Sequence, residues 1–259
     1  MKNYVSHPVG DNFNLWRCRL QKFGDNGAVL RMNPINHFPG FLIVIEGIDG
    51  TGKTTQARFV RERLQERKFR VVSTREPTSG HWGQMLRDSA LTGRFSLQEE
   101  VEAFIKDRKE HVETVINPAL KDGQIVIVDR YYFSTMAYQG ARGLDPAELM
   151  RRNEEFAPEP DLLVILDIEP ESGLERVKTR GSQTDHFEKT DPLKKARAIF
   201  NSIKKPYLCR LSATQEPDVL GELIVRQFSA IYAERIARSD YDPQTKLNML
   251  LALFGGNPV

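Results

Sequence analysis

The residues with the clearest chemistry are Gly47-Ile48-Asp49-Gly50-Thr51-Gly52-Lys53-Thr54, a complete G-x-x-x-x-G-K-[ST] pattern. Its glycines let successive backbone N–H groups converge on phosphate oxygens, and a helix opening at its end aims its positive pole at the same point. Lys53 can bridge the β- and γ-phosphates of a nucleotide, and the Thr54 hydroxyl can ligate Mg2+. A chance match in a glycine-containing loop would lack the right flanks. Here the apolar run Phe41-Leu42-Ile43-Val44-Ile45 leads in and an amphipathic stretch leads out. The pattern predicts nucleotide binding without choosing the reaction.

A second pair, Asp129-Arg130, follows the apolar run Ile125-Val126-Ile127-Val128. A carboxylate at the carboxyl end of a buried strand suits a Mg2+–water network, and an arginine beside it can grip a phosphate through its two-pronged guanidinium. Taken alone, an Asp-Arg pair also reads as an ion pair that ends a strand. With a phosphate loop upstream, the functional reading gains.

Both patterns sit on alternating elements. Continuous apolar runs at 41–45, 71–72, 125–128 and 162–166, with a weaker one at 207–211, read as parallel strands covered on both faces. Between them lie helical stretches. Thr54 to Lys68 places Ala57, Val60 and Leu64 on one stripe, and from Leu97 onward Val101, Phe104, Ile105, Val112, Val115 and Ile116 recur at helical spacing. The expectation is a five-stranded parallel sheet with right-handed crossovers, a three-layer α/β/α nucleoside-triphosphatase fold of the P-loop kind.

Composition narrows the function classes. With 40% hydrophobic and 28% charged residues and a formal net charge of +2, the chain is too balanced to call for nucleic acid or an acidic membrane as partner. Cys18 and Cys209 form no disulfide framework or zinc spacing, which fits a reducing cytoplasm, and the five histidines form no HExxH pattern. No apolar run approaches the ~20 residues of a membrane span, and no secretory h-region opens the chain. Residues 1–39 read as a flexible extension, residues 40–236 as a P-loop domain, and residues 237–259 as a tail, with Met249 to Phe254 as a helix face or interaction segment.

Over residues 40 to about 236 the chain resembles the bacterial type of thymidylate kinase, within the P-loop nucleoside-monophosphate kinases. Besides the loop, the matching segments are Thr74-Arg75-Glu76-Pro77, Asp129-Arg130-Tyr131 with Ser134-Thr135-Met136-Ala137-Tyr138-Gln139-Gly140, and Pro160-Asp161-Leu162. Leu166-Asp167, Arg180-Gly181 with Asp185 and Phe187-Glu188, and Ala213-Thr214-Gln215 follow in order. The loop is shared by many nucleotide-binding proteins, whereas the TREP and DRY-x-x-S-x-x-A-Y-Q-G segments are selective. The resemblance implies a homodimer that passes the γ-phosphoryl group of ATP to dTMP, with Mg2+. It implies nucleotide contacts from Gly47 through Thr55, and Lys53, Asp49 and Arg130 in catalysis. Thr54, Asp129 and Asp49 would lie around the metal.

On the acceptor side it implies Arg75 and Arg130 on the phosphate, with Glu76 and Ser134 nearby. Phe104 and Arg108, four apart on one helix, would stack on thymine and bond its O4. Thr135 and Gln139 would lie near the base and Tyr138 beside the deoxyribose. On spacing alone, Phe104 shares the stripe of Val101 and Ile105 and reads as core. The reaction needs no strong base, because a phosphomonoester with a second pKa of ~6 is already largely dianionic at neutral pH. The protein must align two mutually repelling anions and supply cations.

The resemblance also implies a short mobile lid at about 178–190 carrying a catalytic arginine, because Gly50 leaves the loop without one. Where the usual lid reads Asp-Arg, this chain has Asp185-His186, so Arg180 is the expected cation, with Lys189 or a protonated His186 as substitutes. Thr78-Ser79-Gly80 stands where Gly-Gly-Thr is usual, and Ser212 where an Asp usually precedes the adenine-cradling stretch. Three other readings stay open. One is a phosphotransferase for another pyrimidine monophosphate or a deoxynucleoside. The others are a P-loop ATPase switch and a kinase-derived binding protein with impaired catalysis.

Overall fold

The computed structural model describes residues 40–93, 95–179 and 190–256. Strands β1 (Phe41–Glu46), β2 (Val71–Arg75), β3 (Ile125–Asp129), β4 (Leu162–Asp167) and β5 (Leu208–Ser212) form one parallel sheet in the order β2-β3-β1-β4-β5. The three inner strands are almost wholly buried, which is why their sequences are unbroken apolar runs. The edge strands β2 and β5 are only partly covered, so their apolar signal is short or weak.

Register places the chemistry. Ile45 and Arg75 both pair with Asp129, so the carboxyl ends of β1, β2 and β3 finish level with one another. Glu46, Arg75 and Asp129 therefore reach a common edge, the position where open α/β sheets bind ligands.

Helices flank the sheet. On one side α1 (Lys53–Glu66) packs with α9 (Pro217–Arg238), which carries α10 (Pro243–Leu253). Ala57, Val60 and Leu64 form the buried stripe of α1. Phe41 and Phe69 meet Phe228 and Tyr232 of α9 edge-on, at centroid distances of 5.0–5.6 Å, a geometry that adds ~0.5–1.5 kcal/mol per pair beyond burial.

Elsewhere α2 (His81–Thr92) packs on α3 (Leu97–His111), and α5 (Tyr132–Ala141) on α6 (Pro146–Glu154) and α8 (Thr190–Ser202). The start of α3 is closed by a capping box between Ser96 and Glu99. After His111 it passes through a π-helical turn, Val112–Ile116, into α4 (Asn117–Lys121). Helix α7 (Pro170–Thr179) follows β4. In the C-terminal segment, Met249 and Leu253 of α10 are buried in the same core as the sheet. Arg67 ties α10 down through the Leu253 carbonyl at 3.3 Å and Ser229 at 3.1 Å.

Candidate active site

The loop from Gly47 to Thr54 turns sharply off β1. Gly47 has φ +143° and a Cβ there would lie 2.3 Å from the Leu166 carbonyl oxygen. Gly50 has φ +83° and a Cβ would strike the backbone of Gly173 at 2.1 Å. Both positions exclude a side chain by strain and by space. Gly52, left-handed, precedes α1 with no side-chain cap, so the first amides of that helix remain available to an anion. Lys53 folds back over the loop, its Nζ donating to the carbonyls of Gly47 at 2.9 Å and Ile48 at 2.8 Å. Burial pushes its ammonium down to about 8, and the nearby Arg130 charge acts in the same direction.

Thr54 Oγ1 donates to Asp129 Oδ2 at 2.5 Å. The other oxygen, Asp129 Oδ1, is buried without a hydrogen-bond partner. An orphaned carboxylate oxygen beside a threonine hydroxyl is a hard-oxygen donor set that suits Mg2+, which takes few protein ligands when phosphates and water complete its shell. No group of three or more His, Cys, Asp or Glu suited to a metal occurs among the described residues, so the fit is to a nucleotide-borne ion and not to a dedicated cage. Asp49, also expected near the metal, lines the same cavity, its carboxylate pairing with Arg130 and accepting from the Tyr138 hydroxyl at 2.9 Å.

Arg130 adopts φ +70°, a backbone state that costs a non-glycine residue energy and recurs at functional sites. Its N–H donates to the Ile45 carbonyl at 3.1 Å, and its guanidinium lies 5.4 Å from the Tyr138 ring centroid. Burial works against its charge, but Asp49 outweighs that and holds the guanidinium more firmly protonated than usual. Burial also pushes the Asp49 carboxyl up, yet Arg130, Lys53 and Tyr138 prevail and hold it below the ordinary range. The Tyr138 hydroxyl is driven up by burial and by the Asp49 charge.

Behind the turn, Glu46 is fully buried and closes the start of α5, accepting from Tyr131 N at 2.7 Å, Ser134 N at 3.0 Å and Ser134 Oγ at 2.7 Å. Burial raises its pKa, against the pull of these donors.

These groups open on a cavity of about 470 Å3. Asp49, Gly50, Gly52, Lys53 and Thr54 line it from the loop. Arg75, Glu76, Phe104, Arg108, Asp129, Arg130, Ser134, Thr135, Tyr138 and Gln139 line it from the strand ends, α3 and α5. Gly47, Ile48 and Thr51 are not part of the lining, Thr51 Oγ1 donating to the Ile48 carbonyl at 2.9 Å, and Thr55 faces a separate groove with Phe59. Arg75 reaches the cavity exposed, with no hydrogen-bond or ion-pair partner among the described residues. Phe104 is half-buried and belongs to neither apolar core, whereas Val101 and Ile105 pack with Leu149. The stripe reading of Phe104 as core is therefore corrected: its ring faces the cavity. Gln139 donates to Glu100 at 3.2 Å and leaves a buried Oε1 unpaired.

Sequence reasoning missed Leu86, Arg87 and Ala90 of α2, and Glu100, which also line the cavity. Nothing in their local pattern separates them from an ordinary amphipathic helix. Glu46 did carry a signal, a charge inside an apolar strand. The expected lid residues Arg180, Asp185, His186 and Lys189 lie outside the described residues. Ala213, Thr214 and Gln215 follow β5 outside the cavity lining, where Arg176 donates to the Ala213 carbonyl at 2.9 Å.

Comparison with known proteins gives a consistent result. A family model described as thymidylate kinase matches residues 45–224. A thymidylate kinase of Akkermansia muciniphila is 53% identical over 174 residues, 67% of this chain and 84% of the relative. One from Xanthomonas euvesicatoria pv. vesicatoria is 46% identical over 222 residues, 85% and 96% of the two chains. One from Xanthomonas campestris pv. campestris is 48% identical over 198 residues, 76% and 85%.

Proposed function

The chain belongs to the thymidylate kinase family, and from that premise we propose how its residues divide the work of the reaction. The enzyme transfers the γ-phosphoryl group of ATP to dTMP, giving ADP and dTDP, a step in the supply of dTTP.

The loop amides and the uncapped start of α1 hold the donor phosphates, and Lys53 neutralises their charge. Thr54 and Asp129 would hold a Mg2+ ion arriving with ATP, and that ion would supply positive charge against the phosphates. Arg75 and Arg130 clasp the phosphate of dTMP. Asp49 orients Arg130 and, through Tyr138, the sugar side of the acceptor. Phe104 stacks on thymine, Arg108 donates to O4, and Thr135 and the unpaired Gln139 oxygen face the base edge. Arg180 supplies the last cation from the lid. The chain's own contribution is alignment and fixed charge, since the acceptor oxygen already carries its negative charge.

One observation supports this division best: a single cavity is lined at once by the phosphate loop, by the two arginines and by a half-buried aromatic ring outside the core. Two arginines facing the acceptor favour a monophosphate over an uncharged nucleoside. By resemblance to its family the reading extends to a homodimer, and the two cysteines, which make no disulfide framework, fit a reducing cytoplasm.

The test is ADP release with ATP–Mg2+ and, in turn, dTMP, dUMP, UMP, CMP and thymidine, repeated with Lys53→Ala. Rapid turnover with dTMP, none with thymidine, and loss in Lys53→Ala are expected. ADP release that ignores the acceptor would point to a hydrolytic switch instead.

A further inference from the structure

Arg108, which the proposed reading sets against the C4 edge of the base, is only 1% exposed. Each of its guanidinium nitrogens is engaged. Nε lies 2.8 Å and Nη2 2.7 Å from Glu76 Oε2, Nη2 also lies 3.2 Å from Thr135 Oγ1, and Nη1 donates to Asn153 Oδ1. A buried ion pair of this kind is costly unless its geometry is held. Two residues that do not line the cavity hold it.

The first is Asn153, fully buried near the end of α6. Asparagine is poor in a helix and expensive in a core without partners. Its Nδ2 donates to the Leu149 carbonyl at 2.7 Å, which fixes the amide and leaves Oδ1 to face Arg108. The second is His111, the last residue of α3 before the π-helical turn, a distortion that recurs at functional sites. Its Nδ1 lies 3.0 Å from Glu76 Oε1 and its Nε2 2.8 Å from Thr74 Oγ1. A neutral imidazole protonated at Nδ1 satisfies both contacts, donating to the carboxylate and accepting from the hydroxyl. Each Glu76 oxygen then has one task, Oε1 on His111 and Oε2 on Arg108.

We propose that Asn153 and His111 are positioning residues for base recognition: together they fix the plane of the Arg108 guanidinium so that it offers an N–H to a C4 carbonyl and rejects a C4 amino group. This rests on the reading that Arg108 meets the base. Loosening either brace lets the guanidinium turn, and a turning donor discriminates less well between thymine and cytosine.

The experiment compares dTMP and dCMP as acceptors for the full chain and four variants, with Arg108→Lys alongside. Asn153→Ala is expected to raise KM for dTMP about tenfold and to narrow the dTMP-to-dCMP ratio of kcat/KM by a similar factor, leaving KM for ATP unchanged. Asn153→Asp keeps an acceptor oxygen for Arg108 but sets its other oxygen against the Leu149 carbonyl, so it should recover only part of both. His111→Phe should behave like Asn153→Ala. His111→Gln, whose amide can donate to Glu76 and accept from Thr74, should recover. If Asn153→Ala does not fold, the two His111 variants carry the comparison.

Wild-type KM and selectivity in Asn153→Ala and His111→Phe, with only the melting temperature lowered, would overturn the proposal. If Arg108→Lys raises KM for dTMP while those two variants do not, the positioning role fails alone. If Arg108→Lys also leaves KM for dTMP unchanged, the base-contact reading fails with it.

Discussion

Thr54 Oγ1 lies 2.5 Å from Asp129 Oδ2, a bond that joins residues 75 positions apart and ties the start of α1 to the end of β3. It consumes one carboxylate oxygen and leaves the other buried and unpaired in a residue that lines the cavity.

Asp129→Asn keeps an acceptor for Thr54 but removes the charge. Its kcat should fall by about 100-fold, the scale seen when one preorganised electrostatic group is lost, while the melting temperature moves little. Steady-state kinetics and a thermal scan on the same preparation check both halves. An unchanged kcat would remove Asp129 from the metal site.

The depressed Lys53 ammonium has two consequences of definite sign. Its folded value of about 8 lies below the ordinary 10.5, so the free enzyme loses this charge as pH rises through about 8, and kcat/KM for ATP should fall there. In the same window the unfolded chain binds the extra proton, so stability should rise with pH between about 8 and 10.5. Urea unfolding across that range should show a smaller rise in Lys53→Met than in the wild type.

Phe104→Ala separates a binding ring from a packing ring. A core phenylalanine costs ~3–5 kcal/mol on truncation. Because Phe104 lies outside both cores, its loss should cost under about 1 kcal/mol in urea denaturation, yet raise KM for dTMP about tenfold, as loss of a stacked ring does. A large stability loss with unchanged KM would restore the packing reading.

Leu253→Ala tests the opposite kind of residue. Leu253 is fully buried in the main core although it lies beyond residue 237, so its truncation should cost ~2–5 kcal/mol with KM for both substrates unchanged. A loss within the noise of the denaturation curve would mean that α10 adds nothing to the core.

Much of the molecule was legible in the chain. The inner strands announce themselves because burial on both faces demands unbroken apolar runs, and the phosphate loop because its glycines, lysine and threonine act through nearest neighbours in sequence. The edge strands spoke faintly, since half-exposure lets Ser73, Thr74, Arg75 and Arg210 interrupt them. In the site, Arg75 and Arg130 could be read from their motifs. The braces on Arg108 could not, since Asn153 and His111 meet Glu76 and Arg108 only after α3, α6 and the end of β2 are packed together.

Local interactions follow the order of residues, so the chain by itself determined the strand–helix alternation, the phosphate loop and the family to which it belongs. Contacts between distant segments depend on strand register and helix rotation. Tertiary structure alone therefore decided that Asp129 keeps a bare oxygen, that Phe104 turns away from the core its neighbours join, and that Arg108 is clamped from three sides.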